Sequence, residues 1–170
     1  MNAEQLRARQ APLKERYRTD PGTAILTLRA EGAVTGELGC TVEIGPAHVV
    51  AGLHPAAGGT AGTASPVTLL LSSLVTCFGV TLQAVSIHMG IHIRHARIFA
   101  EGDIDLRGTL GVGDDIPVGL QKARLDVVMD TQASDAQVQD LLALVRKYAV
   151  VFQTLERSVP MEVSYRKDGK

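Results

Sequence analysis

Between Glu43 and Arg94 the sequence has no Asp, Glu, Lys or Arg, although 21% of the chain is charged. A stretch of that length without formal charge belongs in a membrane or inside protein. Its most apolar part, residues 67–85, has the roughly 20 residues that a spanning helix needs. That part also carries Thr68, Ser72, Ser73, Thr76, Thr81 and Gln83, and no Lys or Arg cluster flanks it closely to orient it in a bilayer. A helix without a polar stripe is then a buried core helix of a globular protein. One 170-residue domain has limited capacity to surround such a helix, which favours a dimer that wraps it.

Cysteine is scarce as well, with only Cys40 and Cys77. Nothing obliges the two to pair, so the chain fits a reducing, cytoplasmic setting better than a disulfide-built secreted one. The amino terminus, MNAEQLRARQAPLKERYR, is polar and lacks the apolar core of a secretory signal. A net charge of −1 gives no argument for nucleic acid or an anionic membrane surface. No internal repeat stands out. The expected organisation is a charged arm over residues 1–22 and one domain over residues 23–170.

The pattern along the chain predicts the elements. Residues 23–33 alternate, with Ala24, Leu26, Leu28 and Ala30 on one side, as a strand does. Cys40, Val42 and Ile44 mark a second strand, and residues 48–53 a third after Gly45-Pro46. Residues 54–65 are a Gly/Ala/Thr linker. Ser65 as N-cap and Pro66 at the first helical position open a long helix that Gly90 closes, with Cys77 near its middle. Alternation from Ala96 to Leu106 gives a long strand or a hairpin bent at Gly102. Ala123, Leu125, Val127 and Met129 mark the next strand. Ser134 with Gln137 is a capping box opening a helix with Val138, Leu141, Leu142 and Val145 on its apolar face. A short helical segment over residues 150–155 and a last strand through Val159, Met161, Val163 and Tyr165 complete an α+β arrangement with mostly antiparallel pairing.

Other constellations explain themselves without chemistry. His88, His92 and His95 resemble a metal cluster, but Gly90 breaks the helix between the first two, so no i,i+4 ligand face exists and no metal is expected. Asp103, Asp105, Asp114 and Asp115 lack the EF-hand pattern and read as solvated hairpin and loop residues. Gly58, Gly59 and Gly62 are not a P-loop, since no Lys-Ser/Thr follows. Cys40 fits an alternating strand. Cys77 remains as the candidate for reactivity, against the plain alternative of a small buried apolar residue.

The stretch SPVTLLLSSLVTCF, from Ser65 to Phe78, resembles the central helix of the OsmC/Ohr family, where Ser-Pro-Glu precedes Leu-rich turns and a cysteine. EGDIDLRGTLG, from Glu101, resembles that family's following hairpin. RKYAVVFQTL, from Arg146, with VPMEV, from Val159, resembles its second-cysteine segment and last strand. The resemblance spans about residues 23–166. It implies antiparallel sheets around a long buried central helix and an intertwined homodimer. It also implies a cysteine, Cys77, that reduces small apolar organic hydroperoxides without a cofactor, in the oxidative stress response.

Departures from the pattern are as informative. The family's second cysteine corresponds here to Ala149, and the glutamate of Ser-Pro-Glu to Val67. Arg29 is a possible counterpart of the family's thiolate-stabilising arginine, though no motif fixes that match. A buried thiol without a nearby cation reacts slowly. A sulfenic acid without a second thiol needs an external thiol reductant, a one-cysteine cycle, or it overoxidises. Two functions follow: a one-cysteine thiol peroxidase, or a catalytically lapsed relative whose pocket, made greasier by Val67 and Ala149, binds a small apolar ligand.

Overall fold

A computed structural model describes residues 1–36 and 38–167. In chain order these form α1 (Ala3–Thr19), β1 (Gly32–Thr35), β2 (Gly39–Ile44), β3 (Ala47–Gly52), α2 (Pro66–Met89), β4 (Ile93–Ile104), α3 (Leu106–Thr109), β5 (Leu120–Thr131), α4 (Asp135–Tyr148) and α5 (Val150–Glu156). The strands make two antiparallel sheets, β1-β2-β3 and β4-β5. The class is α+β, as the sequence predicts.

Local chemistry sets the bounds of α2. The Ser65 hydroxyl accepts from the Thr68 amide, Pro66 fills the first position, and Gly90 ends the helix at φ 70°. That left-handed conformation lets the Gly90 and Ile91 amides donate back to the last turn. The capping box of α4 is also present, with Ser134 and Gln137 bonded reciprocally.

One core joins α2, β4, β5, α4 and α5. Phe78, Leu82 and Val85 of α2 pack with Ile91 and with Leu141, Val145 and Ala149, and Ile98, Val127, Leu142 and Phe152 close the cluster. The buried positions of α2 are Leu74, Phe78, Leu82, Val85 and Ser86, a single stripe. Its opposite side, with Ser73, Thr76, Val80 and Gln83, faces outward without any charge, and Val80 is 70% exposed. The sequence predicts a helix buried all round; within one chain only half of that burial is made. The reason is the one foreseen from size: two strands and two helices cover one face only.

Two other expectations need correction. The strand expected over residues 23–33 is confined to β1, while Pro21–Ala24 is a 3₁₀ turn and residues 25–31 have no regular structure. Ile25, Leu26 and Leu28 there are exposed. The expected last strand through Val159, Met161, Val163 and Tyr165 is likewise unpaired and exposed. Alternation marks a segment fit for a sheet, but a strand needs an edge to bond to, and neither segment meets one within the described residues. The charged arm proves to be mostly the helix α1, opened by a capping box between Asn2 and Gln5. Of the two forms expected after α2, the long strand is the one present, β4 pairing continuously through Gly102, where a Cβ would lie 2.6 Å from Leu120 Cδ2.

Candidate functional site

Cys77 is half-buried in the fourth turn of α2, too far from either end to feel that helix's dipole strongly. The polar contact to its sulfur comes from elsewhere. Helix α4 stops at Ala149, where ψ opens to 105°, and α5 restarts from that same residue. The first amides of a helix have no intrahelical acceptor. One of them, the Val151 N–H, donates to the Cys77 sulfur at 3.4 Å. It is the sulfur's one hydrogen-bond partner among the described residues.

Ala149 is completely buried and belongs to the core cluster. The absence of a larger side chain there suits the close packing of the α4–α5 corner against α2. Around this corner stand two rings, Phe78 and Phe152, 6.1 Å apart between centroids and tilted. They line an open hollow of about 380 Å³ with Leu125, Val127 and Leu142 and with two charged residues, Asp126 and Arg146. The Arg146 guanidinium lies 5.3 Å from the Phe152 ring centroid and bonds to Glu156. Arg146 is a cation at the site that sequence reasoning did not single out. Its signal was available: on α4 it lies three residues before Ala149, the same face one turn earlier.

Other sequence candidates are not gathered at Cys77. Val67 is half-buried in the first turn of α2, ten residues and so roughly 15 Å along the axis from Cys77. Cys40 is exposed on β2, its sulfur beside the Thr41 carbonyl, and the sheet carrying it has no extensive packing on α2 or α5. Arg29 lies in the exposed segment before β1. His88, His92 and His95 are exposed, and no group of metal-ligating side chains occurs among the described residues. Asp103, Asp105 and Asp130 have carboxyls held below the usual range by hydrogen bonds from Arg124, Arg107 and Arg94. These are surface ion pairs along β4 and β5 and at the start of α3, and none of them touches the thiol.

The residue whose backbone meets the sulfur is thus Val151, two positions beyond the one to which the sequence pattern pointed. Installing a thiol there tests the geometry directly. The Val151 Cα is one bond beyond the amide nitrogen, within about 5 Å of the Cys77 sulfur. In Val151→Cys, mild oxidation is expected to remove both thiols together from reaction with a maleimide under denaturing conditions. In Ala149→Cys, aimed into the packed core, the pair is expected to form poorly.

Comparison with known proteins completes the description. The sequence model of a family described as OsmC-like protein matches residues 59–164. No curated protein sequence matches the chain. Among solved structures, an OsmC-like protein from Mycoplasma pneumoniae superposes with TM-score 0.68 at 16% identity, covering 78% of this chain and 89% of that one. An organic hydroperoxide resistance protein from Elizabethkingia anophelis gives 0.64 at 16%, covering 79% and 91%. The organic hydroperoxide resistance protein OhrB of Bacillus subtilis gives 0.52 at 19%, covering 78% and 93%. At these identities the structures establish a shared fold.

Proposed function

Because this chain belongs to the OsmC-like family, we propose that it reduces organic hydroperoxides through Cys77 as a one-cysteine thiol peroxidase. The observation that carries the reading is the Val151 amide donating to the half-buried Cys77 sulfur, with the next residue, Phe78, among those lining a partly aromatic hollow. The Cys77 thiolate attacks the distal peroxide oxygen, an S–O bond forms, and the O–O bond breaks. The alkoxide takes a proton and leaves as the alcohol, and the sulfur becomes a sulfenic acid. An external thiol displaces water to give a mixed disulfide, and a second thiol releases the cysteine with the disulfide product. The aromatic and aliphatic walls formed by Phe78, Leu125, Val127, Leu142 and Phe152 favour alkyl or aromatic hydroperoxides over hydrogen peroxide.

The working unit in this reading is an intertwined homodimer in a reducing, cytoplasmic compartment. Support comes from the uncharged outer side of α2 and from two alternating segments, residues 25–31 and 158–167, that find no strand partner among the described residues. A second copy offers a helix face and free strand edges suited to them.

A sulfenic-acid trap such as dimedone, with mass spectrometry, tests the chemistry. Brief exposure to cumene hydroperoxide is expected to label Cys77 and leave Cys40 unlabelled. Labelling of Cys40 alone, or no label with peroxide left intact, sinks the reading. That outcome favours the alternative of a lapsed relative binding a small apolar molecule, for which the apolar side chains of Val67, Ala149 and Val151 speak.

A further inference from the structure

Helix α1 lies outside the matched family region, and the rest of the chain does little to hold it. It is 17 residues long and capped, yet not one of its residues is buried. Isolated helices of that length are marginal in water, so a helix this polar needs a surface to lie on. Ala3, Leu6, Gln10, Leu13 and Tyr17 follow one another at intervals of three, four, three and four. That is the spacing of a helix–helix seam.

Only half of the seam is used. Ala3, Leu6 and Gln10 are partly covered, and Met1 reaches the groove between α2 and β4 beside Gly79, Leu82, Gln83 and Ile98. Leu13 and Tyr17 remain 46% and 40% exposed. Pro12 is on the side away from the seam, where it removes the bond to the Ala8 carbonyl. Charge says what the open half meets. Residues 1–22 hold five basic and three acidic side chains, a net +2, which leaves −3 for the rest of a chain of net charge −1. Of the five basic residues, one is ion-paired, Arg18 with Glu15, among the described residues. Gln83, next to Met1 in that groove, also belongs to the uncharged outer side of α2.

We propose that α1 is a clamp between two copies of this chain, its first half resting on its own α2 and Leu13 and Tyr17 seated on the partner's more acidic body. The inference rests on the homodimer reading and adds to it a contact made by residues outside the family region.

Sedimentation of the full-length protein over a dilution series tests it. Leu13→Ala/Tyr17→Ala, which keeps good helix formers, is expected to raise the dimer dissociation constant about tenfold or more. Ala11→Glu, off the seam, is expected to leave it near the wild-type value, and circular dichroism confirms that each variant is folded. A wild-type protein that is monomeric at all concentrations overturns both the dimer and the clamp. A dimer indifferent to the seam variant, or equally loosened by Ala11→Glu, overturns the clamp alone. So does wild-type binding to anionic phospholipid vesicles that the seam variant loses while its dimer constant stays unchanged.

Discussion

Replacing the Cys77 sulfur by oxygen, in Cys77→Ser, is expected to cut the consumption of cumene hydroperoxide with dithiothreitol to the uncatalysed level. The hydroxyl of serine does not ionise near neutral pH, so the Val151 amide has no anion to hold and the peroxide no nucleophile to meet. A loss of about three orders of magnitude, roughly 4 kcal/mol of barrier, is the scale expected. Serine is close in size to cysteine, and the site is half-buried, so the fold should survive and the melting temperature move little. Cys40→Ser is the control: on an exposed strand face away from the core, it is expected to leave the rate within about twofold. If Cys77→Ser keeps its activity, the one-cysteine mechanism is wrong.

The second large effect is on stability. Leu141 is fully buried in α4 and packs in the cluster that also holds Phe78, Val145 and Ala149. Leu141→Ala removes hydrocarbon and leaves a cavity, a change that costs about 2–5 kcal/mol. For a chain of this size each kcal/mol lowers the melting temperature by roughly 2–4 °C, so a drop of about 4–20 °C is expected by calorimetry. The same cavity lies behind the corner that aims the Val151 amide. The variant is therefore expected to lose peroxidase rate at temperatures where it is still folded. A rate that follows the folded fraction alone would show that the corner is held by other contacts.

Local chemistry made much of this architecture legible. The bounds of α2 are written in Ser65, Pro66 and Gly90, and the start of α4 in Ser134 and Gln137, because caps act within a few residues. The strands β4 and β5 showed through alternation, since one face of their sheet is buried by the same chain. Residues 25–31 and 158–167 misled for the complementary reason. Their alternation is real, but the edge that would bond to them is not supplied within the described residues. At the site, Cys77 was identifiable from its position in an uncharged helix. The contact to Val151 was not, because residues 74 apart meet only through the packing of α5 on α2. A backbone amide also leaves no mark on side-chain identity, and the family pattern points instead to Ala149, the corner residue itself.

That last point bears on how the site tolerates drift. The group facing the sulfur is part of the peptide chain, so nineteen of the twenty amino acids at position 151 supply it equally. Proline alone deletes it. A lineage can therefore exchange this side chain for any but proline and retain the donor throughout. What selection must guard is the corner's shape.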